Sequence, residues 1–103
     1  MSRALRLVIH APTAAALDRA MSNAGNFLQA DHSAEVEIVV NAAAVSAVLA
    51  DPKPFLGTGA KVLLCRNTLD RQGLAPPPGA HTVPAAVLHI AERQAEGWAY
   101  MRA

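Results

Sequence analysis

Apolar and polar positions in this chain switch repeatedly between a strand rhythm and a helix rhythm. Leu5-Arg6-Leu7-Val8-Ile9-His10 is rich in branched apolar side chains and stops at Pro12. A short apolar run closed by a breaker predicts a buried strand. Thr13 offers a side-chain oxygen to cap a helix. Leu17, Met21, Ala24 and Leu28 then recur at helical spacing, with Ala20 and Phe27 beside them, predicting a long amphipathic helix that ends near Ala30. Asp31-His32-Ser33 make a turn. Val36, Ile38 and Val40 alternate with Glu35 and Glu37 before Val39 joins them, which predicts a second strand, less buried at its start than at its end.

The same alternation continues to the C-terminus. Ala42 to Ala50 is alanine-rich with Val45, Val48 and Leu49 on one face, a short second helix that Asp51-Pro52-Lys53-Pro54 stops. Phe55 and Leu56 fold back toward the core, and Gly57-Thr58-Gly59 turns into a third strand, Lys61-Val62-Leu63-Leu64-Cys65. A short third helix is expected over Thr68 to Gln72, with Gly73 at its C′ position. After the stiff loop Pro76-Pro77-Pro78-Gly79, His81-Thr82-Val83 forms a minimal fourth strand. Pro84 suits the first position of a fourth helix, whose packing stripe is Val87, Leu88, Ala91 and Gln94 with Ile90 at its margin. Gly97 ends that helix, and Trp98-Ala99-Tyr100-Met101 reads as the last strand.

Strict strand–helix alternation argues for an α/β fold: a three-layer α/β/α sandwich on a mostly parallel five-stranded, flavodoxin-like sheet. Each crossover should be right-handed. No repeat or linker divides residues 1–103, so one domain is expected.

Composition adds two constraints. Apolar residues make up 52% and charged residues 17%, against about 25% charged in an average soluble chain. That leaves apolar surface for which self-association is the natural outlet. The net charge of +1 is spread without any Lys/Arg run, so the electrostatic footprint of a nucleic-acid binder is missing. A single cysteine excludes an internal disulfide and suits a reducing compartment. His10 and Pro12 interrupt the one stretch that resembles a signal segment, Leu5 to Leu17. No apolar run approaches the roughly 18 residues of a spanning helix. A cytoplasmic protein that meets neither membrane nor nucleic acid is expected.

Candidate chemistry centres on Cys65. The carboxyl ends of parallel strands are where such folds bind ligands. A helix starting there presents N–H groups and partial positive charge that favour a thiolate. A small buried core filler is the competing role for an unpaired cysteine. His10 ends the first strand at the same edge of the sheet, placed either to pair with the sulfur or to be a satisfied strand-end histidine. Asn41 ends the second strand and either faces that crevice or caps the next helix. Cys65 with His10 and His81 contains enough donors for a zinc site, but the spacing lacks paired histidines or an adjacent carboxylate motif, and no metal or cofactor is expected. His32 and His89 receive no task. Gly57-Thr58-Gly59 lacks the third glycine of a dinucleotide fingerprint and precedes a strand instead of following one. No phosphate-cradling Gly-Lys-Ser/Thr and no Gly-x-Ser-x-Gly elbow is present.

Several segments in order resemble the short members of the DsrE/DsrF-like family: Gly59-Ala60-Lys61-Val62-Leu63-Leu64-Cys65-Arg66-Asn67-Thr68-Leu69, then Gly73, Val83-Pro84-Ala85-Ala86-Val87, and Gln94-Ala95-Glu96-Gly97-Trp98-Ala99-Tyr100. His10 after the first strand fits as well. The resemblance implies the three-layer fold, homo-oligomers (trimers or hexamers), and a persulfide-accepting role for Cys65. In that role the protein takes sulfane sulfur from one protein and passes it to another, so it is at most a sulfurtransferase-like carrier. The alternative is a non-catalytic oligomeric binding or assembly module with a buried structural cysteine.

Overall fold

A computed structural model describes residues 4–56 and 58–103. Gly57, the first residue of the expected Gly57-Thr58-Gly59 turn, lies outside them. The elements follow in the order β1 (Arg6–Ala11), α1 (Ala14–Ala30), β2 (Glu35–Val40), α2 (Ala43–Ala50), a 3-10 turn (Lys53–Phe55), β3 (Lys61–Cys65), α3 (Arg66–Gln72), β4 (His81–Val83), α4 (Ala86–Ala95) and β5 (Ala99–Arg102). The five strands form one sheet in the order β4-β3-β2-β1-β5, and every pairing is parallel.

This order explains the layering. Three successive crossovers, from β1 through to β4, step across the sheet in one direction. If each is right-handed, their helices fall on one face. Indeed α1, α2 and α3 share a core with Ile9, Ala11, Ile38, Val40, Val62 and Leu64. The fourth connection runs from β4 at one edge to β5 at the other, reversing the direction, and α4 accordingly covers the opposite face. There Ala86 packs with Val8, Val39, Leu63, Cys65, Val83 and Trp98, and Ile90 lies against them. The three-layer α/β/α sandwich is thus built unevenly, three helices against one.

Local signals place most element ends. The Thr13 hydroxyl accepts from the Ala16 N–H at 3.0 Å, as expected of a cap. Gly73 adopts the left-handed conformation (φ 66°) that closes α3, and the Leu74 N–H returns to the Leu69 carbonyl at 2.9 Å. Two helices start away from their expected positions. Helix α3 begins at Arg66, directly after the strand, so Cys65 stands at its N-cap position without a side-chain capping bond. Helix α4 begins at Ala86 with Ala85 as its cap, leaving Pro84 just outside.

The face of α4 also differs from the stripe read in the sequence. Val87 is 77% and Leu88 50% exposed, and Ala91 and Gln94 are exposed too. The packed side carries Ala86, His89, Ile90 and Arg93. The reason is electrostatic. Glu37 points from β2 to the α4 face and is only 5% exposed. His89 Nε2 meets its Oε1 at 2.7 Å, while Arg93 donates from Nε to Oε1 at 2.9 Å and from Nη2 to Oε2 at 2.8 Å. A buried carboxylate is tolerable only with such partners, and they fix the rotation of the helix. The Arg93 guanidinium also lies 4.7 Å from the Trp98 ring centroid, with Arg6 at 5.6 Å. His89 therefore has a task that its lone place in the sequence did not reveal. Among the described residues, no helix is long and apolar enough to cross a membrane.

Candidate functional site at the carboxyl edge of the sheet

Because all strands are parallel, their carboxyl ends share one edge, and the residues that follow them meet there. Three helices start around one crevice: α2 at Ala43, α3 at Arg66 and α4 at Ala86. None has an acidic residue in its first turn, and no Asp or Glu among the described residues borders the crevice, so no carboxylate there offsets the partial positive charge of the helix starts. The crevice has a volume of about 530 Å³, and Cys65, Asn41, Ala42, Asn67, Thr68 and Arg71 are among its walls.

Cys65 is 5% exposed, yet it is part of that wall. Its Sγ accepts a hydrogen bond from the Ala86 N–H at 3.4 Å, so the first turn of α4 faces the end of β3. Burial pushes the thiol up, but the N–H and hydroxyl of Thr68 and the Ala86 N–H outweigh it. The net effect holds Cys65 below the ordinary cysteine value. The Asn67 N–H contributes least, consistent with its bond to the Pro84 carbonyl at 3.3 Å. Thr68 Oγ1 accepts from the Ala42 N–H at 3.2 Å, which leaves its own hydrogen free for the sulfur. The sequence pointed to the sulfur and to helix-start N–H groups beside it, but not to the Ala86 N–H, which reaches Cys65 from a different helix 21 residues along the chain, nor to the Thr68 hydroxyl.

Ala42 carries the one positive φ among the described non-glycine residues, 51° with ψ −136°. Such a conformation costs of order 1–3 kcal/mol and persists only where the surroundings enforce it. Here Thr68 holds its N–H and Gln72 Nε2 donates to its carbonyl at 3.5 Å. The strained peptide therefore belongs to the wall facing Cys65.

His10 has a different immediate partner from the one considered in the sequence. Its Nε2 lies 2.8 Å from Asn41 Oδ1. Its crevice is a second one of about 370 Å³, formed with Ala86, Val87, Ile90, Gln94 and Tyr100 among others. Asn41, Ala86 and Val87 belong to both crevices, so the two adjoin there, with Cys65 in one and His10 in the other. His81 is farther off. It pairs with Leu63 at the amino end of β4, whereas Cys65 pairs with Val83, and it borders a third cavity with Lys61. Among the described residues, no group of three or more His, Cys, Asp or Glu side chains is placed to hold a metal ion.

No family model matches the chain, and no curated protein matches it. Among solved structures, the protein of unknown function MTH1491 from Methanobacterium thermoautotrophicum is similar, with a TM-score of 0.83 and 28% identity, over 96% of this chain and 99% of that one. The two therefore share one fold over essentially their full lengths: a small parallel α/β sandwich whose strand ends converge on a common edge.

Proposed function

We propose that the chain is a small sulfur carrier of the DsrE/DsrF-like kind, holding sulfane sulfur as a persulfide on Cys65 and working in a reducing cytoplasm. The observation that carries this reading is the surrounding of the sulfur: the Ala86 N–H donates to Sγ at 3.4 Å at the wall of an open crevice around which three helices start, an environment that favours a thiolate. A thiolate is the form that attacks sulfur. In loading, the Cys65 thiolate attacks the outer sulfur of a donor persulfide, R–S–SH. The new S–S bond forms as the donor's breaks, giving Cys65–S–SH and R–S⁻. In delivery, an acceptor thiolate takes that outer sulfur and Cys65 leaves as thiolate. Each step conserves charge and needs no external oxidant or reductant. The same helix starts that stabilise the incoming thiolate stabilise the departing one.

Assembly belongs to the same reading. Val87, Leu88 and Ala91 leave an apolar stripe on the outer side of α4, although its inner side is already packed. A helix apolar on two sides is normally covered on both. A homo-oligomer formed through α4 would cover it next to the crevices; Leu88→Glu should then shift the sedimentation of the protein toward monomer.

The loading step has a direct test. Incubation with a cysteine persulfide donor, which supplies sulfane sulfur, followed by intact mass measurement, should add one sulfur atom to the wild type and none to Cys65→Ser. Equal labelling of both would refute the carrier reading and favour the assembly module with a structural cysteine.

A further inference from the structure

The second crevice differs in chemistry from the first. Its sides are Val87, Ile90, Ala91 and the Tyr100 ring, its polar points are His10, Asn41 and Gln94, and no Asp, Glu, Lys or Arg borders it. The Cys65 crevice instead contains Arg71 and the polar groups of Asn67, Thr68 and Gln72. The second crevice lies at the carboxyl end of β1, beside β5 and α4, and adjoins the Cys65 crevice, which occupies the point where the helices leaving the adjacent strands β3 and β4 part to opposite faces. In open α/β sheets such a point is where small molecules bind. The second crevice's volume of about 370 Å³ falls in the range of small-ligand pockets, roughly 300–1,000 Å³. At the wall common to both, His10 holds the Asn41 amide by its oxygen, which leaves the amide N–H groups to donate to an occupant.

We propose that the two crevices form one small-molecule site, in which the second holds the uncharged apolar or single-ring body of an organic persulfide or disulfide whose sulfur lies against Cys65. This rests on the reading of Cys65 as a nucleophilic thiol and names the class of sulfur source it meets. The sulfur arrives on a small molecule, R–S–SH. Thiolate attack on the outer sulfur forms Cys65–S–SH and releases R–S⁻, whose apolar R group leaves the second crevice. With a symmetric disulfide the same attack gives Cys65–S–S–R and R–S⁻.

The neutral aromatic disulfide 4,4′-dithiodipyridine is a suitable probe, because each attack releases a coloured thiopyridone. With wild type, the rate of Cys65 modification should saturate with probe concentration, as binding precedes reaction. Gln94→Trp places a large ring at an exposed helix position beside the crevice and outside the Val87–Leu88–Ala91 stripe, and Tyr100→Ala removes its one aromatic side. Both should lose the saturation and react about tenfold more slowly at low probe concentration, a binding-energy loss of about 1.4 kcal/mol. Alkylation of Cys65 by iodoacetamide, which needs only the first crevice, should stay within about twofold of wild type in both variants. A strictly linear dependence in wild type, or curves unchanged in both variants, would overturn this inference alone. Saturation without any persulfide forming from a cysteine persulfide donor would leave the site standing and remove the carrier reading. A Cys65 inert to both reagents would overturn the two together.

Discussion

The two faces of the sheet are built on different principles. Under α1, α2 and α3 the core is aliphatic: Ile9, Leu17, Ile38, Val40, Val45, Val48, Leu64 and Leu69 are all at most 1% exposed. Under α4 the layer mixes aliphatic residues with an ion-paired Glu37, a Trp98 flanked by two guanidiniums, and the sulfur of Cys65. The first face gains stability from area and dense packing. The second gives up part of that gain to hold polar groups in fixed positions. The candidate site opens at the carboxyl edge, where α2 and α3 of the first face meet α4 of the second.

The largest expected effect breaks the aliphatic face. Leu64→Ala removes a side chain that is 1% exposed, and it should destabilise the protein by about 3–4 kcal/mol. Denaturant unfolding measures this, and a loss below about 1 kcal/mol would mean that the face is not close-packed.

Next comes the ion cluster. Glu37→Gln leaves Arg93 and His89 without their carboxylate and should cost about 3 kcal/mol at neutral pH. The cluster also predicts a pH signature. Its partners hold the Glu37 carboxyl below the usual glutamate value, against the upward push of burial. Its stabilisation is therefore fully present above the unfolded-state value near 4.5 and is lost as pH falls through the lower folded value. Wild type should lose stability across that acid window, and Glu37→Gln should lose less there. Parallel acid limbs for the two proteins would contradict the burial and pairing described.

The third prediction sharpens the contrast at the sulfur. Thr68→Val removes the hydroxyl that favours the Cys65 thiolate. It should change stability by only about 1 kcal/mol while moving the pH midpoint of Cys65 alkylation upward. An unchanged midpoint would show that backbone N–H groups alone tune the thiol. The smallest effect is expected at Ala42. Glycine relieves the positive φ at some cost in unfolded-chain entropy, so Ala42→Gly should stabilise by about 1 kcal/mol. Thermal unfolding would reveal it, and a destabilised variant would contradict the strain.

The aliphatic face was legible in the sequence because periodicity reports it directly. Leu17, Ala20 and Ala24 on α1, and Val36, Ile38 and Val40 on β2, are buried as their spacing implies. Cys65 was legible as well, since a strand end in a parallel sheet has a known position. The α4 face was not. Val87, Leu88, Ala91 and Gln94 make a convincing packing stripe, yet the helix turns a different side inward because Glu37 recruits His89 and Arg93. That pairing joins residues 52 and 56 positions apart, and neither partner signals it alone. Glu37, set between Val36 and Ile38 in the buried part of β2, with His89 and Arg93 one helical turn apart, was the available clue. The His10–Asn41 bond escaped for a related reason: it links the ends of two adjacent strands 31 residues apart.

The most direct test of the account is the pH dependence of Cys65 alkylation in the folded protein. The structure predicts a reactive sulfur whose rate rises through a midpoint below that of an ordinary cysteine, near 8.5, and which Thr68→Val shifts upward. A midpoint at or above that value, or a thiol that reacts only after unfolding, would contradict the claim that Cys65 is presented as a stabilised thiolate.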